Sequence, residues 1–266
     1  MIRVGSLFSG IGGLDLGLER AGMQVVWQSE IDRFALAILE RHWPAVQRLG
    51  SVQELLGRIV NGDCDAPDLV TGGDPCPCRS TARIGRATVH PDLSGWIHAV
   101  VGRLRPRWVV RENVPASDCA DFAAALELLG YRPVVVGLCA SSWTAQRRRR
   151  EIVVGCARAD AADRFATLVE SPGGAGDDRP MHQEARALAP CLVAHRFRGE
   201  TSDCFVFEES RGRIRILSAE EREALQGFPT GWTAGLSESR RDRLIGNAVP
   251  PPMAEWIGRR IIEADT

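Results

Sequence analysis

The sequence predicts a doubly wound α/β sheet followed by a smaller, loop-rich second domain. Through the first 155 of its 266 residues, short apolar runs typical of strands alternate with helical patterns. A glycine-rich turn follows the first of these runs, at a place where such folds bind ligands. Beyond about residue 156 the periodicity weakens, and turn-forming residues become dense between Ser171 and Pro180.

Six apolar runs in the first 155 residues are predicted to be strands. They are Val4–Phe8, Gln24–Trp27, Asp68–Thr71, Trp108–Val110, Pro133–Leu138 and Ile152–Val154. The apolar spacing of Leu14–Arg20 and of Arg33–Arg41 predicts helices between the first strands. Further on, Ser218 and Glu221 have the spacing of a capping box, which predicts the start of a helix. A last helix is predicted over Met253–Ile262, after a run of three prolines.

The composition excludes several classes of protein. Apolar and charged residues make up 44% and 25% of the chain, as in ordinary globular proteins and unlike disordered ones. No apolar run reaches the roughly 20 residues of a membrane span, and the first residues lack the pattern of a secretion signal. We therefore expect a cytoplasmic protein that binds no membrane, and a monomer.

The eight cysteines are expected to be reduced thiols in that compartment. Their spacing contains no CxxC pair and no histidines at zinc-finger distance, so we expect no metal. Cys76 and Cys78 follow the predicted strand Asp68–Thr71, at the sheet edge where α/β folds bind ligands. A thiol there is either a nucleophile or a small buried apolar group.

All 33 cationic residues are arginines, although the net charge is only −1. A GC-rich coding sequence explains their number, whereas their clustering suits contacts with phosphate and guanine. The clusters are Arg103, Arg105, Arg107 and Arg111; Arg147–Arg150; and Arg211, Arg213 and Arg215.

Two segments indicate a nucleoside-bearing cofactor. The first strand leads directly into Ser9–Gly13, and Glu30 ends the next strand. Glycines let the backbone approach a ligand, and a carboxylate at the second strand can accept hydrogen bonds from ribose hydroxyls. A dinucleotide and S-adenosylmethionine both fit this pattern, and a turn that serves only helix packing is the alternative. Glu112 follows a later strand, so its carboxyl group is expected to converge with the cysteine thiol.

Six motifs, in order, resemble those of the DNA cytosine-C5 methyltransferases. They are FSGIGG, the PC of GGDPC, ENV, QRRRR, EREALQGFP and GNAVPP, and they span residues 1–155 and about 211–252. The resemblance implies a Rossmann-like, S-adenosylmethionine-dependent methyltransferase sheet. It also implies methylation of a flipped-out cytosine in double-stranded DNA, with S-adenosylhomocysteine as the second product and no metal.

The resemblance assigns roles to individual residues. Cys76 would bond to C6 of cytosine, Glu112 would act at N3, and Arg148 and Arg150 would complete the catalytic set. The residues implied in cofactor binding are Phe8, Ser9, Gly10, Ile11, Gly12, Gly13, Glu30, Ile31, Ser51, Asn247 and Ala248. Those implied in DNA binding are Ser80, Gln146 and Arg148.

The resemblance also implies four regions. A catalytic and cofactor-binding domain spans 1–155, a short target recognition region 156–212, a small-domain helical segment 213–245, and a returning helix 246–266. Because the recognition region is short, we expect a target of two to four base pairs. A cognate restriction endonuclease would be a separate chain.

The chain departs from the family pattern at two places. Relatives commonly have Pro-Pro-Cys-Gln where this chain has Asp74-Pro75-Cys76-Pro77, and the alignment of Ser80 selects Cys76 over Cys78 as nucleophile. Ser51 replaces an aspartate that contacts adenine. These changes keep two alternatives open: an enzyme that modifies tRNA or transfers another group, and a catalytically silent DNA-binding protein.

Overall fold

The computed structural model describes residues 1–74, 93–115, 118–170, 189, 191–192, 205–208 and 211–266. The strands are β1 (Arg3–Leu7), β2 (Gln24–Ser29), β3 (Gln47–Arg48), β4 (Leu69–Gly72), β5 (Trp108–Asn113), β6 (Arg132–Cys139), β7 (Arg149–Cys156), β8 (Phe205–Glu208) and β9 (Arg213–Ile216). The first seven form one sheet in the order β3-β2-β1-β4-β5-β7-β6, in which β7 is antiparallel to both neighbours. Strands β8 and β9 form a separate hairpin.

Helices cover both faces of the sheet. They are α1 (Gly13–Arg20), α2 (Arg33–His42), α3 (Val52–Asn61), α4 (Ser94–Leu104), α5 (Cys119–Leu128), α6 (Ala159–Glu170), α7 (Ala219–Gln226), α8 (Glu238–Asn247) and α9 (Pro251–Asp265). One apolar layer contains side chains of α1, α6 and α9, and the opposite layer contains side chains of α3, α4 and α5. A third cluster joins α2 to residues 217–248. In the described part of the chain, no helix has both the length and the apolar character needed to cross a membrane.

The predicted doubly wound α/β sheet is confirmed. Each of the six predicted strands overlaps an observed strand, and the predicted capping box at Ser218 is present. Strand β3 was not predicted, because its two residues are too few to show alternation. The sequence predicts a loop-rich region from about residue 156, whereas residues 159–170 form α6, which buries Ala161 and Phe165 in the main core.

Small residues let α1 and α9 pack closely. A Cβ on Gly17 of α1 would overlap the Pro251 carbonyl oxygen and the Ala254 methyl group. In the same way, a Cβ on Gly258 of α9 would overlap the methyl group of Ala21. The last described helix, α9, therefore packs directly against the first helix, α1.

We expect Gly17→Ala to lower the free energy of unfolding by about 1–3 kcal/mol, because the added methyl group would push α9 away from α1. Gly57→Ala is the matched control: it lies inside α3, and nothing lies within 4 Å of the added Cβ. That change should raise the free energy of unfolding by about 0.5–1 kcal/mol. Urea unfolding measures both variants, and equal effects would contradict a specific need for Gly17.

Candidate active site

The carboxyl ends of four parallel strands, β1, β2, β4 and β5, lie at one edge of the sheet. The turn Phe8–Gly13 follows β1, Glu30 follows β2, Asp74 follows β4, and Glu112 belongs to the end of β5. Open α/β sheets bind their ligands at this edge. The structure thus brings predicted cofactor residues and a predicted catalytic residue to one place.

The turn after β1 needs glycine for two different reasons. Gly10 and Gly12 have φ angles of 55° and 80°, and Phe8 adopts a φ of 51° despite its side chain. A Cβ on Gly12 would overlap the ring of Trp43, whereas only the Phe8 carbonyl oxygen comes within 4 Å of a Cβ on Gly10. A ligand can therefore approach the backbone at Gly10, while Gly12 is required for packing.

A buried carboxyl group, that of Asp15, stabilises this turn through hydrogen bonds to β1 and β2. Asp15 accepts hydrogen bonds from Ser6 Oγ and Gln28 Nε2, each at 3.0 Å, and Ser9 Oγ donates to Ser6 Oγ at 2.9 Å. Burial raises the pKa of Asp15 to about 6. Sequence reasoning missed Asp15, although a carboxylate on the apolar face of α1 was a usable signal.

Glu30 is fixed at the mouth of the turn. Its Oε2 accepts the Gly10 N–H at 2.7 Å, and its Oε1 accepts the N–H groups of Ile31 and Asp32 at 2.7 and 2.8 Å. The neighbouring residue Ile31 is 76% exposed. A carboxylate with free lone pairs thus lies beside an uncovered apolar surface.

Ser51 lies at the N-terminus of α3, where it forms a capping box with Glu54. The Ser51 hydroxyl accepts the Glu54 N–H at 3.2 Å and lies 3.0 Å from the Glu54 carboxylate. The Ser51 N–H donates to the same carboxylate and holds the pKa of Glu54 below its usual value. A cofactor contact from the Ser51 hydroxyl would compete with this capping.

Two later segments pack against the turn. A Cβ on Gly13 would overlap the Val249 carbonyl oxygen, so the two backbones are in direct contact. Trp232 Nε1 donates to the Ile11 carbonyl oxygen at 2.9 Å. Ile11 itself is buried in the cluster that joins α2 to residues 217–248, whereas Asn247 is exposed at the end of α8. The segment before α9 therefore packs directly against the turn that is predicted to bind the cofactor.

Glu112 has two differently placed carboxylate oxygens. Its Oε1 lies 2.8 Å from Arg150 Nε, in an ion pair without the alignment of a good hydrogen bond. Its Oε2 faces Gly73, since a Cβ there would lie 3.1 Å from it. Gly73 and Asp74 lead towards the predicted nucleophile Cys76. One oxygen is therefore held by a guanidinium, and the other is turned towards the segment that carries the thiol.

Buried glutamines connect the motifs that sequence reasoning found separately. Gln146 is fully buried; its Oε1 accepts the Leu192 N–H at 3.0 Å, and its Nε2 donates to Gln226 Oε1 at 2.6 Å. Gln226 Nε2 in turn donates to the carbonyl oxygens of Ile245 and Ala248 at 2.8 and 2.9 Å. The QRRRR, QGFP and GNAV segments thus share one hydrogen-bond network.

Arg148 belongs to the same network. Its guanidinium donates to the carbonyl oxygens of Leu192, Gly246 and Ala248 at 2.9, 3.1 and 3.0 Å. Burial lowers the pKa of Arg148 to about 10. Direct DNA contacts, which the resemblance implied for Gln146 and Arg148, would require these bonds to break. In the described structure both side chains connect the surrounding segments through these bonds, and their contact with DNA stays a prediction.

Some predicted residues fall outside the described part of the chain. Cys76, Ser80 and most of the recognition region 156–212 are among them. The described hairpin of that region places Phe207 opposite Ile214, and both side chains are exposed. Within the described residues, no three His, Cys, Asp or Glu side chains are grouped so as to hold a metal ion.

Comparison with known proteins identifies the family. The family model for C-5 cytosine-specific DNA methylase matches residues 2–171 and 179–263. The Type II methyltransferase M2.BsuMI of Bacillus subtilis is 27% identical over 300 residues, which cover 98% of this chain and 75% of the relative. The Type II methyltransferase M.PspPI of a Psychrobacter species is 31% identical, with 96% and 78% covered.

A solved structure shows the same fold. A mutant of Spodoptera frugiperda DNMT2 superposes with a TM-score of 0.71 at 13% identity, and the match covers 98% of this chain and all of that one. Such low identity supports the architecture alone. The family model and the two Type II relatives confirm what the six motifs indicated. The chain therefore belongs to the C-5 cytosine-specific DNA methylase family.

Proposed function

We propose that this protein transfers a methyl group from S-adenosylmethionine to C5 of a cytosine in double-stranded DNA. The position of the Glu112 carboxyl group carries the proposal. It lies at the same sheet edge as the turn after β1, beside the segment that leads to Cys76. A methyl donor at the turn and a cytosine at Glu112 would therefore meet at this edge.

The residues after β1 and β2 fit this cofactor. Glu30 has its orientation fixed by three backbone N–H groups and can accept hydrogen bonds from ribose hydroxyls. The exposed Ile31 offers an apolar surface to the adenine, and the open backbone at Gly10 allows close approach. When bound, S-adenosylmethionine supplies an electrophilic methyl group on a sulfonium ion and leaves as S-adenosylhomocysteine.

Cytosine C5 is too electron-poor to take up a methyl group unaided. We propose that the Cys76 thiolate bonds to C6 and that the electrons of the C5–C6 double bond are displaced towards N3. Glu112 donates a proton to N3 and so prevents negative charge from building up on the ring. The Arg150 guanidinium lies 2.8 Å from Glu112 Oε1, so the other oxygen, Oε2, is the one that would carry the proton to N3.

The second half of the reaction restores the base. C5 now has the electron density of an enamine carbon and accepts the methyl group. A base such as solvent water takes the C5 proton, and the electrons of that C–H bond restore the C5–C6 double bond as the bond between sulfur and C6 breaks. The thiolate is released, and N3 returns its proton to Glu112. A base stacked inside a duplex cannot reach either group, so the cytosine must rotate out, at a cost of a few kcal/mol.

Nucleoside mass spectrometry tests the reaction. DNA and total RNA from a host without cytosine methylation, expressing this protein, are digested and compared with an empty-vector control. We expect 5-methyldeoxycytidine in the DNA and no new nucleoside in the RNA. A methylated ribonucleoside would favour the tRNA alternative. A protein that binds S-adenosylmethionine but modifies neither polymer would favour the silent DNA-binding alternative.

A further inference from the structure

Arg111 is a fully buried arginine in the strand that also carries Glu112. Its Nε and Nη2 atoms donate to the two carboxylate oxygens of Asp74 at 2.6 and 2.8 Å. Asp74 is also buried, with 6% of its surface exposed. Two parallel charge-assisted bonds fix the direction of a carboxylate as well as its distance. The side chain of Asp74 is therefore held in one orientation.

The guanidinium has independent supports on α5. Arg111 Nη2 also donates to Asp118 Oδ1 at 2.8 Å, and its Cζ lies 4.6 Å from the centre of the Phe122 ring. Asp118 immediately precedes α5, and Phe122 is buried within it. The guanidinium is thus attached to a helix as well as to its own strand, and it forms a fixed anchor for Asp74.

The ion pair extends the connection between β4 and β5 beyond the last strand residue. Gly72 ends β4 and pairs with Arg111 in the sheet. Asp74 lies two residues further on, where the chain has left the strand. Cys76 follows two residues later in the sequence, outside the described residues. Asp74, the last described residue before Cys76, is therefore fixed relative to the strand of Glu112.

We propose that Asp74 and Arg111 are positioning residues, which set the Cys76 thiol at its working distance from the Glu112 carboxyl group. The inference rests on the proposed function, since it requires Cys76 to be the nucleophile. It also accounts for the departure from Pro-Pro-Cys-Gln, because the aspartate at position 74 is paired with Arg111. The ion pair between Asp74 and Arg111 then restricts movement of the chain at position 74.

The test measures covalent attachment to duplex DNA in which 5-fluorocytosine replaces cytosine. After methyl transfer C5 carries fluorine instead of a proton, so elimination is blocked and the protein stays bonded to the DNA. Arg111→Met leaves Asp74 buried without its main partner, and attachment at saturating DNA should slow by at least about 30-fold. The affinity for S-adenosylmethionine, measured by calorimetry, should not change, because Gly10 and Glu30 follow other strands, β1 and β2.

The double variant Asp74→Ala/Arg111→Met separates positioning from stability. With both charges removed, neither residue leaves a buried charge behind, and Asp118, which loses its bond to Arg111, is partly exposed and can be solvated by water. The unfolding temperature should therefore return close to that of the unmodified protein. Attachment should nevertheless remain at least about 10-fold slow, because nothing orients residue 74. The matched control is Arg107→Met. It breaks the ion pair of Arg107 with Asp68, just before the other ends of β4 and β5, and the ion pair of Arg107 with Asp265 of α9. It should attach at the normal rate.

The outcomes are distinct. A stable double variant that attaches at the normal rate would overturn the positioning role, as would an Arg111→Met protein that attaches normally. If Arg107→Met attached as slowly as Arg111→Met, the positioning role would also be overturned. Loss of any contact between β4 and β5 would then be enough to slow attachment. If the unmodified protein never attaches, the proposed function itself fails and the positioning role fails with it.

Discussion

Cys76→Ala is expected to reduce methyl transfer by more than about 10⁴-fold. Without a thiolate no bond to C6 forms, and C5 stays too electron-poor to react. Binding of S-adenosylmethionine should be unchanged, because the groups proposed to hold it follow β1 and β2 rather than β4. Single-turnover transfer of a labelled methyl group to DNA measures the rate, and calorimetry measures the affinity.

Cys78→Ala is the matched control for this prediction. It removes a thiol from the same segment, two residues away, and should leave methyl transfer intact. An inactive Cys78→Ala beside an active Cys76→Ala would move the nucleophile to position 78. If neither substitution slowed transfer, the covalent mechanism would be wrong.

Glu112→Gln should slow methyl transfer by about 10²–10⁴-fold, which is the usual contribution of a general acid. Glutamine fills the same space, and its carbonyl oxygen can still face Arg150, but it has no acidic proton for N3. The same single-turnover assay gives the rate. The affinity for S-adenosylmethionine should stay at the level of the unmodified protein.

The control for Glu112→Gln is Glu127→Gln, which makes the same change at an exposed position of α5. It should alter neither the rate nor the affinity. Parallel losses of rate and affinity in Glu112→Gln would show that Glu112 supports the fold of the site rather than its chemistry. A Glu112→Gln protein that transfers methyl groups normally would exclude Glu112 as the acid.

Most of the fold could be predicted because its signals are local. Strands such as β5 are buried on both faces and appear as apolar runs, and the Ser218 capping box lies within four residues. Strand β3 escaped prediction because it consists of two residues paired only with β2. Helix α6 was not predicted, because the charged, turn-rich stretch that follows it made the whole region look loop-rich.

The site was less predictable, because its contacts join residues far apart in the chain. Arg111 was grouped with nearby arginines as a candidate for DNA contact, yet its partner Asp74 lies 37 residues away. The resemblance likewise implies that Arg148 contacts DNA. Arg148 is only 3% exposed, because its guanidinium is bonded to carbonyl groups of the 246–248 segment. A cluster of like charges in sequence gives no information about which members turn inward.

The packing of α9 on α1 also affects when, during translation, the turn after β1 gains its support. The glycine turn and α1 are translated before α9, whereas the surfaces that cover Gly13 and Gly17 belong to residues 249–255. Until that segment has been synthesised, the turn lacks its support and α1 has an uncovered face. We therefore expect the turn after β1 to gain its full backbone support during translation only once residues 249–255 have been made.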